Sequence, residues 1–229
     1  SRKEINIALL YVENLSTVNA LHGHLIGDQV LIRISKVLVE YENMDLTVAR
    51  VGGNEFAIYS SLASFEYIIG EILASFSEPI HCDGSYIEIN IYSGLFLNDV
   101  KTKNLNDIKR NANLALDKAR NEKLPLCRFE TSILDDFIHK STLTEELKLA
   151  VERQEVYVCY QPKVDQYGHI YSLEALLRWS NRKLGNIPPD VFIPIAESTG
   201  MIHELGRFVL EVVIKDRLKL SSIYSYCPN

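Results

Sequence analysis

A carboxylate and a guanidinium, Glu174 and Arg178, stand four residues apart in a segment that alternates like a β-strand. The odd positions of this segment suit a packed face: Tyr171, Leu173, Ala175, Leu177 and Trp179. Period two predicts a strand, which would place Glu174 and Arg178 on one face roughly 13 Å apart. They would be too distant to pair, but a carboxylate suits a hard divalent metal and a guanidinium suits a phosphate. A half-exposed strand with two solvated charges is the alternative.

Two further blocks flank this strand, and the three together resemble the signature of the EAL family of cyclic di-GMP phosphodiesterases. The central block is EALLRW at 174–179, the upstream block is YQPKVD at 160–165, and the downstream block is FIPIAESTGMI at 192–202. The resemblance implies the first strands and helices of a (β/α)8-type barrel. It also implies Mg²⁺ or Mn²⁺ as cofactor and hydrolysis of cyclic di-GMP to linear pGpG.

The same resemblance implies roles for individual residues. Glu174 would be the catalytic residue and a metal ligand, and the dinucleotide site would be lined or supported by Gln161, Leu177, Arg178 and Glu197. The family takes its other metal ligands and its water-activating residues from later strands, which residues 1–229 do not contain. We therefore expect this chain to hold the N-terminal part of such a domain, to bind no metal tightly and to be inactive by itself.

The composition is that of a globular protein with an acidic balance. Lys and Arg number 24 against 30 Asp and Glu, and the net charge of −6 argues against nucleic acid or a membrane surface as partner. No apolar run is long enough to span a bilayer, and no signal peptide opens the chain. The cysteines form no CxxC pair, which favours free thiols in a reducing cytoplasm: Cys82, Cys127, Cys159 and Cys227. A membrane anchor in preceding segments stays open.

Turn residues divide the first part of the chain into alternating strands and helices. We expect a strand at 5–12, a helix opened by Gly27-Asp28, a hairpin around Gly52-Gly53-Asn54, a helix capped by Ser64, paired strands at 79–82 and 85–97, a helix at 107–120 and a strand at 125–129. This β-α-β-β-α-β-β-α-β order predicts an α/β sandwich.

A polar connector is predicted at 134–143. The run Thr142-Leu143-Thr144-Glu145 fits a capping box for the helix that follows it. Beyond this helix we expect strands near 155–164 and 169–180 and helices near 189–198 and 204–220.

The hairpin RVGGNEF at 50–56 resembles the GGDEF hairpin of diguanylate cyclases, and the block NALHGHLIGD at 19–28 resembles that family's upstream motif. The resemblance covers residues 1–133, which we interpret as a degenerate GGDEF domain with a nucleotidyl-cyclase-like sandwich. Residues 134–143 would then be a linker, and residues 144–229 would be the N-terminal part of an EAL domain.

This resemblance also identifies altered cyclase positions. The two positions that carry metal-binding carboxylates in the family hold Tyr11 and Asn54, beside the retained Glu55. Glu13 is a surviving carboxylate on the same side of the strand as Tyr11. Neutral side chains are poor ligands for divalent cations, so we expect the domain to have no cyclase activity. The family's product-inhibition motif has lost its arginine at 42–45.

Asn19 and Asp28 survive at positions that contact the guanine base in the family. They imply that GTP could still bind weakly; the alternative is that both are turn and cap residues, with Asp28 as a helix N-cap. Arg120 lies near the position of the family's phosphate-binding lysine. The alternative is that Arg120 simply faces solvent.

Together these features predict a piece of a cytoplasmic cyclic di-GMP signalling protein, in which the degenerate cyclase domain regulates an EAL phosphodiesterase. Cyclic di-GMP is the expected partner, GTP is a further candidate, and a sensory domain would precede the chain in the intact protein. A non-catalytic receptor and a dimerisation or scaffold module are the alternatives, and a homodimer stays open.

Overall fold

The computed structural model describes residues 5–42, 45–98 and 104–223. The chain divides into two compact units, Ser1–Asp136 and Phe137–Asn229. This division falls within the segment predicted to be a connector. Each unit has a hydrophobic core of its own.

The first unit alternates strands and helices around one sheet. Its elements are β1 (Asn6–Val12), α1 (Leu15–His22), α2 (His24–Glu40), β2 (Leu46–Arg50), β3 (Glu55–Ser60), α3 (Phe65–Ala74), β4 (Ile80–Cys82), β5 (Ser85–Ile87), β6 (Ile91–Phe96), α4 (Leu105–Glu122) and β7 (Leu126–Arg128). Five strands form a sheet in the order β2-β3-β1-β6-β7, in which only the β6–β7 pair is parallel. Strands β4 and β5 form a separate hairpin.

The central strand β1 is buried on both faces of this sheet. Ala8 and Leu10 pack into the core that contains the apolar residues of α2 and α3. Ile7 and Leu9 point the other way, into the core that contains Ile108 of α4. Successive side chains of a strand alternate between faces, so helices cover both sides. The predicted α/β sandwich is confirmed.

The start of α2 differs from the prediction. The helix begins at His24 rather than at Gly27-Asp28, and its N-cap is Gly23, which has a φ of 86°. Asp28 therefore lies inside the helix, and its interpretation as an N-cap is wrong. The short helix α1 was not predicted, since only Leu15 and Val18 of its residues are buried. The predicted strand at 85–97 is also two strands, because β5 pairs with β4 whereas β6 joins the main sheet.

Helix α4 lies unusually close to strand β6. A Cβ added at Gly94 of β6 would run into the backbone of Ala112 and Leu116 of α4. The helix presents small, fully buried residues on its packed face, including Ala112, Ala115 and Ala119. The absence of a side chain at Gly94 thus permits the helix backbone to contact the strand directly.

The second unit contains a short antiparallel sheet flanked by helices. Helix α5 (Thr131–Lys148) spans the division between the units, and β8 (Val156–Val164), β9 (Ile170–Asn181), β10 (Gly185–Ile187), α6 (Pro189–Thr199) and α7 (Ile202–Ile223) follow. The strand order is β10-β9-β8. In the part of the chain that the structure describes, these strands do not close into a barrel. Across the same residues, no helix combines the length and apolarity needed to cross a membrane.

The predicted connector at 134–143 is helical, because α5 runs through it. Thr142 and Thr144 donate hydrogen bonds from Oγ1 to the carbonyls of Ile138 and Lys140, at 2.9 and 2.8 Å. These bonds to the preceding turn occur inside a helix, so the capping box is wrong. Leu143 and Leu147 are each 2% exposed, and their burial in the second core extends the helix across the polar segment.

The apolar side chains that alternate along β9 are buried at one end of the strand only. Trp179 is 1% exposed and packs edge-on against Phe192 of α6, with ring centroids 5.7 Å apart. Tyr171 and Leu173, which were predicted on the same packed face, are 57% and 37% exposed. Their burial is therefore a wrong prediction: among the described residues, the second core covers only the C-terminal end of the strand.

A polar network joins the end of α5 to the β9–β10 turn. The buried Glu155 accepts a hydrogen bond from Asn181 Nδ2 at 2.9 Å, and the same amide lies 3.2 Å from Glu146 Oε2. Glu146 also contacts Lys183 at 2.8 Å and Arg153 at 2.6 Å. Its hydrogen bonds with Lys183, Asn181 and Arg153 lower the pKa of Glu146 to about 2.

We expect Gly94→Ala to lower the free energy of unfolding by about 1–3 kcal/mol, because the added methyl group overpacks the contact with α4. Gly70→Ala is the matched control, since a Cβ there meets nothing within 4 Å. Gly70 lies within helix α3, so alanine should be neutral or should stabilise by up to about 1 kcal/mol. Urea unfolding followed by circular dichroism measures both. Equal effects of the two substitutions would contradict the close approach.

We expect Glu146→Gln to destabilise the second unit at neutral pH. The folded-state pKa of Glu146 lies below its ordinary value of 4.5, so its stabilising charge is fully present above that value. The contribution is then lost as the pH falls toward 2. Urea unfolding between these pH values should show the difference between wild type and variant shrinking. Glu145→Gln is the control, because this neighbouring carboxylate is 70% exposed. A difference that stays constant with pH would exclude the charge as its cause.

Candidate functional site

Most of the site residues predicted in the first unit line one cavity of about 390 Å³. It lies between β1, α1, α2 and the β2–β3 hairpin. Its lining includes Tyr11, Glu13, Asn19, Asp28, Arg50 and Asn54. Positions predicted separately for metal and guanine contacts therefore surround one space.

Asn54 is part of the backbone network at the edge of this cavity. Its Nδ2 donates a hydrogen bond to the carbonyl of Val12 at 2.8 Å, and the Val12 N–H donates to the carbonyl of Asn54 at 2.9 Å. A carbonyl only accepts hydrogen bonds, so the side chain must present nitrogen to it. An ionised carboxylate could not make this bond. The neighbouring Glu55 is exposed and faces Tyr11 across the β1–β3 ladder.

Tyr11 and Glu13 are both covered by Arg120 of α4. The Nε of Arg120 donates to Glu13 Oε2 at 2.8 Å, and its guanidinium carbon lies 4.0 Å from the centroid of the Tyr11 ring. The hydrogen bond to Glu13 raises the pKa of Arg120 above its ordinary value. The alternative that Arg120 simply faces solvent is therefore wrong. No local signal reveals this contact, since 107 positions separate the two residues.

The two guanine-type positions lie on different helices. Asn19 is half-buried on α1, and a Cβ added at Gly27 of α2 would collide with its Oδ1. Gly27 thus provides the space that the Asn19 amide occupies. Asp28 follows on the exposed side of α2. The opposite wall is held by Arg50, which donates to the carbonyls of Gly53 and Gly52 at 2.6 and 3.2 Å.

The residues of this cavity do not fit a cyclase-type metal centre. Divalent cations such as Mg²⁺ need several oxygen ligands, carboxylates above all. Tyr11 and Asn54 are neutral, and Glu13 is already paired with a guanidinium. Asp28 is the one other carboxylate in the lining, and a single carboxylate is too few for such a centre. The chemistry that remains is recognition of a polar ligand by amide, carboxylate and guanidinium groups.

The second unit places three of the predicted residues on one sheet face. Gln161 of β8 stands directly opposite Glu174 of β9, and Arg178 lies four positions further along the same face. Glu174 forms an ion pair with Lys163 at 3.1 Å, and both side chains are 48% exposed. Sequence reasoning missed Lys163, although it shares the parity of Gln161. Arg178 donates to the carbonyl of Leu177 at 2.9 Å.

The other two predicted residues lie elsewhere in this unit. Leu177 is on the opposite face of β9, where it packs against the second core. Glu197 is exposed on α6. Within the described ranges, no cluster of three or more His, Cys, Asp or Glu side chains could hold a metal ion. Glu174 is a single carboxylate, so the described residues of this unit do not fit a two-metal centre.

Comparison with the sequence profiles of protein families identifies one domain in each part of the chain. The sequence profile of the diguanylate cyclase GGDEF domain matches residues 1–124, and the profile of the EAL domain matches residues 144–224. The chain belongs to the GGDEF family. The EAL match that follows makes it a tandem GGDEF–EAL protein, as the motifs at 50–56 and 174–179 predicted.

Two curated relatives are similar to this chain over nearly its whole length. The cyclic di-GMP phosphodiesterase PdeR of Escherichia coli is 30% identical over 94% of this chain and 33% of its own length. The bifunctional diguanylate cyclase/cyclic di-GMP phosphodiesterase MucR of Pseudomonas aeruginosa is 29% identical over 92% of this chain and 32% of its own length. The chain thus spans about a third of the length of these relatives.

A solved structure supports the fold of the first unit. The GGDEF domain of TpbB, also called YfiN, from Pseudomonas aeruginosa aligns with a TM-score of 0.55 and 25% identity. The alignment covers 59% of this chain and 83% of that one. The sandwich of the GGDEF–EAL protein is therefore a GGDEF fold.

We expect Asn54→Asp to lower the free energy of unfolding by about 1–3 kcal/mol, because the Val12 carbonyl loses its donor and faces a carboxylate. Asn113→Asp is the matched control: its Nδ2 also donates to a backbone carbonyl, that of Lys109 at 3.0 Å, but at an exposed site where water can replace it. Thermal unfolding compares the two. Equal stability of wild type and Asn54→Asp would show that this amide has no structural role.

Proposed function

We propose that this chain belongs to a cytoplasmic cyclic di-GMP signalling protein. In this proposal, the first unit is a catalytically silent cyclase-like module that takes a guanine nucleotide and regulates its neighbour. The second unit contributes Glu174 and Arg178 to a phosphodiesterase that converts cyclic di-GMP to pGpG. A preceding sensory domain and a homodimer are parts of the same proposal.

The silence of the first unit rests on the chemistry of two positions. Formation of cyclic di-GMP needs divalent cations to neutralise phosphate charge and to activate a hydroxyl. Tyr11 and Asn54 stand where the family carries carboxylates, and the amide of Asn54 is engaged with Val12. Asn19 and Asp28 support retention of the base pocket, because both line the same cavity.

The phosphodiesterase role rests on the face that carries Gln161, Glu174 and Arg178. A guanidinium on this face suits a phosphodiester, and a carboxylate suits Mg²⁺ or Mn²⁺. In this proposal, a longer polypeptide supplies the further ligands of a two-metal centre. The described residues alone carry out no hydrolytic step. In that polypeptide, Glu174 would supply one ligand and Arg178 would contact the substrate phosphate.

A non-catalytic receptor is the second candidate, and the ion pair between Glu174 and Lys163 favours it. A carboxylate neutralised by a lysine has less charge to offer a metal. The same face could then bind cyclic di-GMP through Arg178 and Gln161 without cleaving it.

The deciding experiment compares the 229-residue chain with a longer polypeptide that carries the complete EAL domain. We expect the chain to form no cyclic di-GMP from GTP and no pGpG from cyclic di-GMP, with Mg²⁺ or with Mn²⁺. The longer protein should hydrolyse cyclic di-GMP, Glu174→Ala should abolish the reaction, and Arg178→Ala should weaken binding by about 1.5–3 kcal/mol. Chromatography of the nucleotides and calorimetry provide the measurements.

Arg207→Ala is the matched control for Arg178→Ala, because Arg207 is 76% exposed on α7 and should not change binding. Steady synthesis of cyclic di-GMP by the chain would refute the silent cyclase. Binding of cyclic di-GMP by the longer protein without cleavage, under either metal, would replace the phosphodiesterase by the receptor.

A further inference from the structure

Helix α2 carries an apolar stripe on the side that is turned away from its own core. Leu25, Ile32 and Val39 are 79%, 53% and 54% exposed. They recur every seven residues, so they lie within about 20° of one line along the helix and span about 21 Å. The buried Val30 and Ile34 lie on the opposite side. Single exposed apolar residues are ordinary, whereas an aligned set marks a contact surface.

Two opposite charges border this stripe at equal distances from its centre. Asp28 precedes Ile32 by four residues, Lys36 follows it by four, and both are exposed. Residues four apart share a face of a helix, so both charges lie beside the apolar line. In the part of the chain that the structure describes, neither charge takes part in an ion pair. The stripe is thus symmetric about Ile32 in its apolar residues and opposite in its charges.

This pattern is complementary to a second copy of the same helix that runs in the opposite direction. A twofold axis at Ile32 brings each position before the centre level with the equivalent position after it. Leu25 then faces Val39 of the second copy, and Ile32 faces Ile32. Asp28 comes level with Lys36 of the second copy, within reach of the flexible lysine stem.

The charges select this orientation over a parallel one. A parallel pair would bring Asp28 level with Asp28 and Lys36 level with Lys36, and like charges beside an apolar contact repel. The antiparallel pair replaces both repulsions by attractions. A partner of another kind would require no symmetry about Ile32, so the pattern favours a second copy of this chain.

We propose that α2 is a self-association surface on which two copies of this chain pair their helices antiparallel about Ile32. The homodimer itself rests on the function proposed above, whereas the surface and the orientation rest on the pattern of α2. A contact through one helix of 17 residues is small beside stable interfaces of about 1,200–2,000 Å², so the association should be weak. Asp28 also lines the first-unit cavity, so the association is measured without nucleotide.

The first test measures self-association of the full chain by sedimentation velocity, from micromolar to millimolar concentration. Ile32→Glu places two carboxylates opposite each other at the twofold axis, so it should weaken self-association by about ten-fold or more. Ile214→Glu is the matched control, because Ile214 is 63% exposed on α7 and lies outside the stripe. It should leave the association unchanged. Circular dichroism checks that both variants are folded.

The second test decides the orientation by reversing charges. In an antiparallel pair, Asp28→Lys or Lys36→Asp alone turns both attractions into repulsions, so each should weaken the association. The double variant Asp28→Lys, Lys36→Asp should restore it, since opposite charges meet again. In a parallel pair like charges would meet in all four proteins, which would then associate alike.

Three results would overturn the proposal. A chain that stays monomeric up to millimolar concentration would exclude this surface together with the proposed homodimer. A dimer that Ile32→Glu leaves intact would exclude this surface and leave the homodimer to another one. Equal association of the four charge forms would exclude the antiparallel orientation. If Ile32→Glu does not fold, the charge variants decide alone.

Discussion

The contact between helix α4 and Gly94 of strand β6 is the constraint that holds α4 against the central sheet of the first unit. Only a residue without a side chain lets the backbone of Ala112 and Leu116 approach the strand so closely. The end of α4 then stands beside the end of β1, and Arg120 reaches both Glu13 and Tyr11. The position of the arginine is thus set by packing at a distance from it. The positive charge beside Glu13 therefore depends on the absence of a side chain at Gly94.

In both candidate sites, a predicted carboxylate is paired with a nearby positively charged side chain. Glu13 is paired with Arg120 in the first unit, and Glu174 is paired with Lys163 in the second. The two bases differ in kind, because a guanidinium is planar and can stack, whereas an ammonium is a compact charge on a flexible stem. Arg120 is held by a ring as well as by a carboxylate. Among the described residues, Lys163 makes one ion pair, and its partner is Glu174. Glu174 is therefore the carboxylate that separates more easily from its cation.

Local patterns predicted the elements whose signals lie within a few residues. Gly52-Gly53 between two apolar runs predicted the hairpin, and period two placed Glu174 and Arg178 on one face. Helix α5 could not be bounded in this way, since the burial of Leu143 overrides a sequence that also fits a cap. The Arg120–Glu13 contact has no local signal at all. For Asn54, the residue type predicts a lost charge, and only the fold provides the carbonyl that makes its amide structurally useful.

Trp179 gives the chain an optical property that follows from its place in the second core. It is the one tryptophan among 229 residues, it is 1% exposed, and it lies edge-on to Phe192. Its indole Nε1 donates to Glu155 Oε2 at 3.5 Å, and because the ring is buried, unfolding would exchange a shielded surrounding for water. Selective excitation of tryptophan therefore reports the state of the second unit. Tyrosine emission comes from both units, because tyrosines occur in each of them. A partial unfolding event confined to the GGDEF fold would leave the indole spectrum in place.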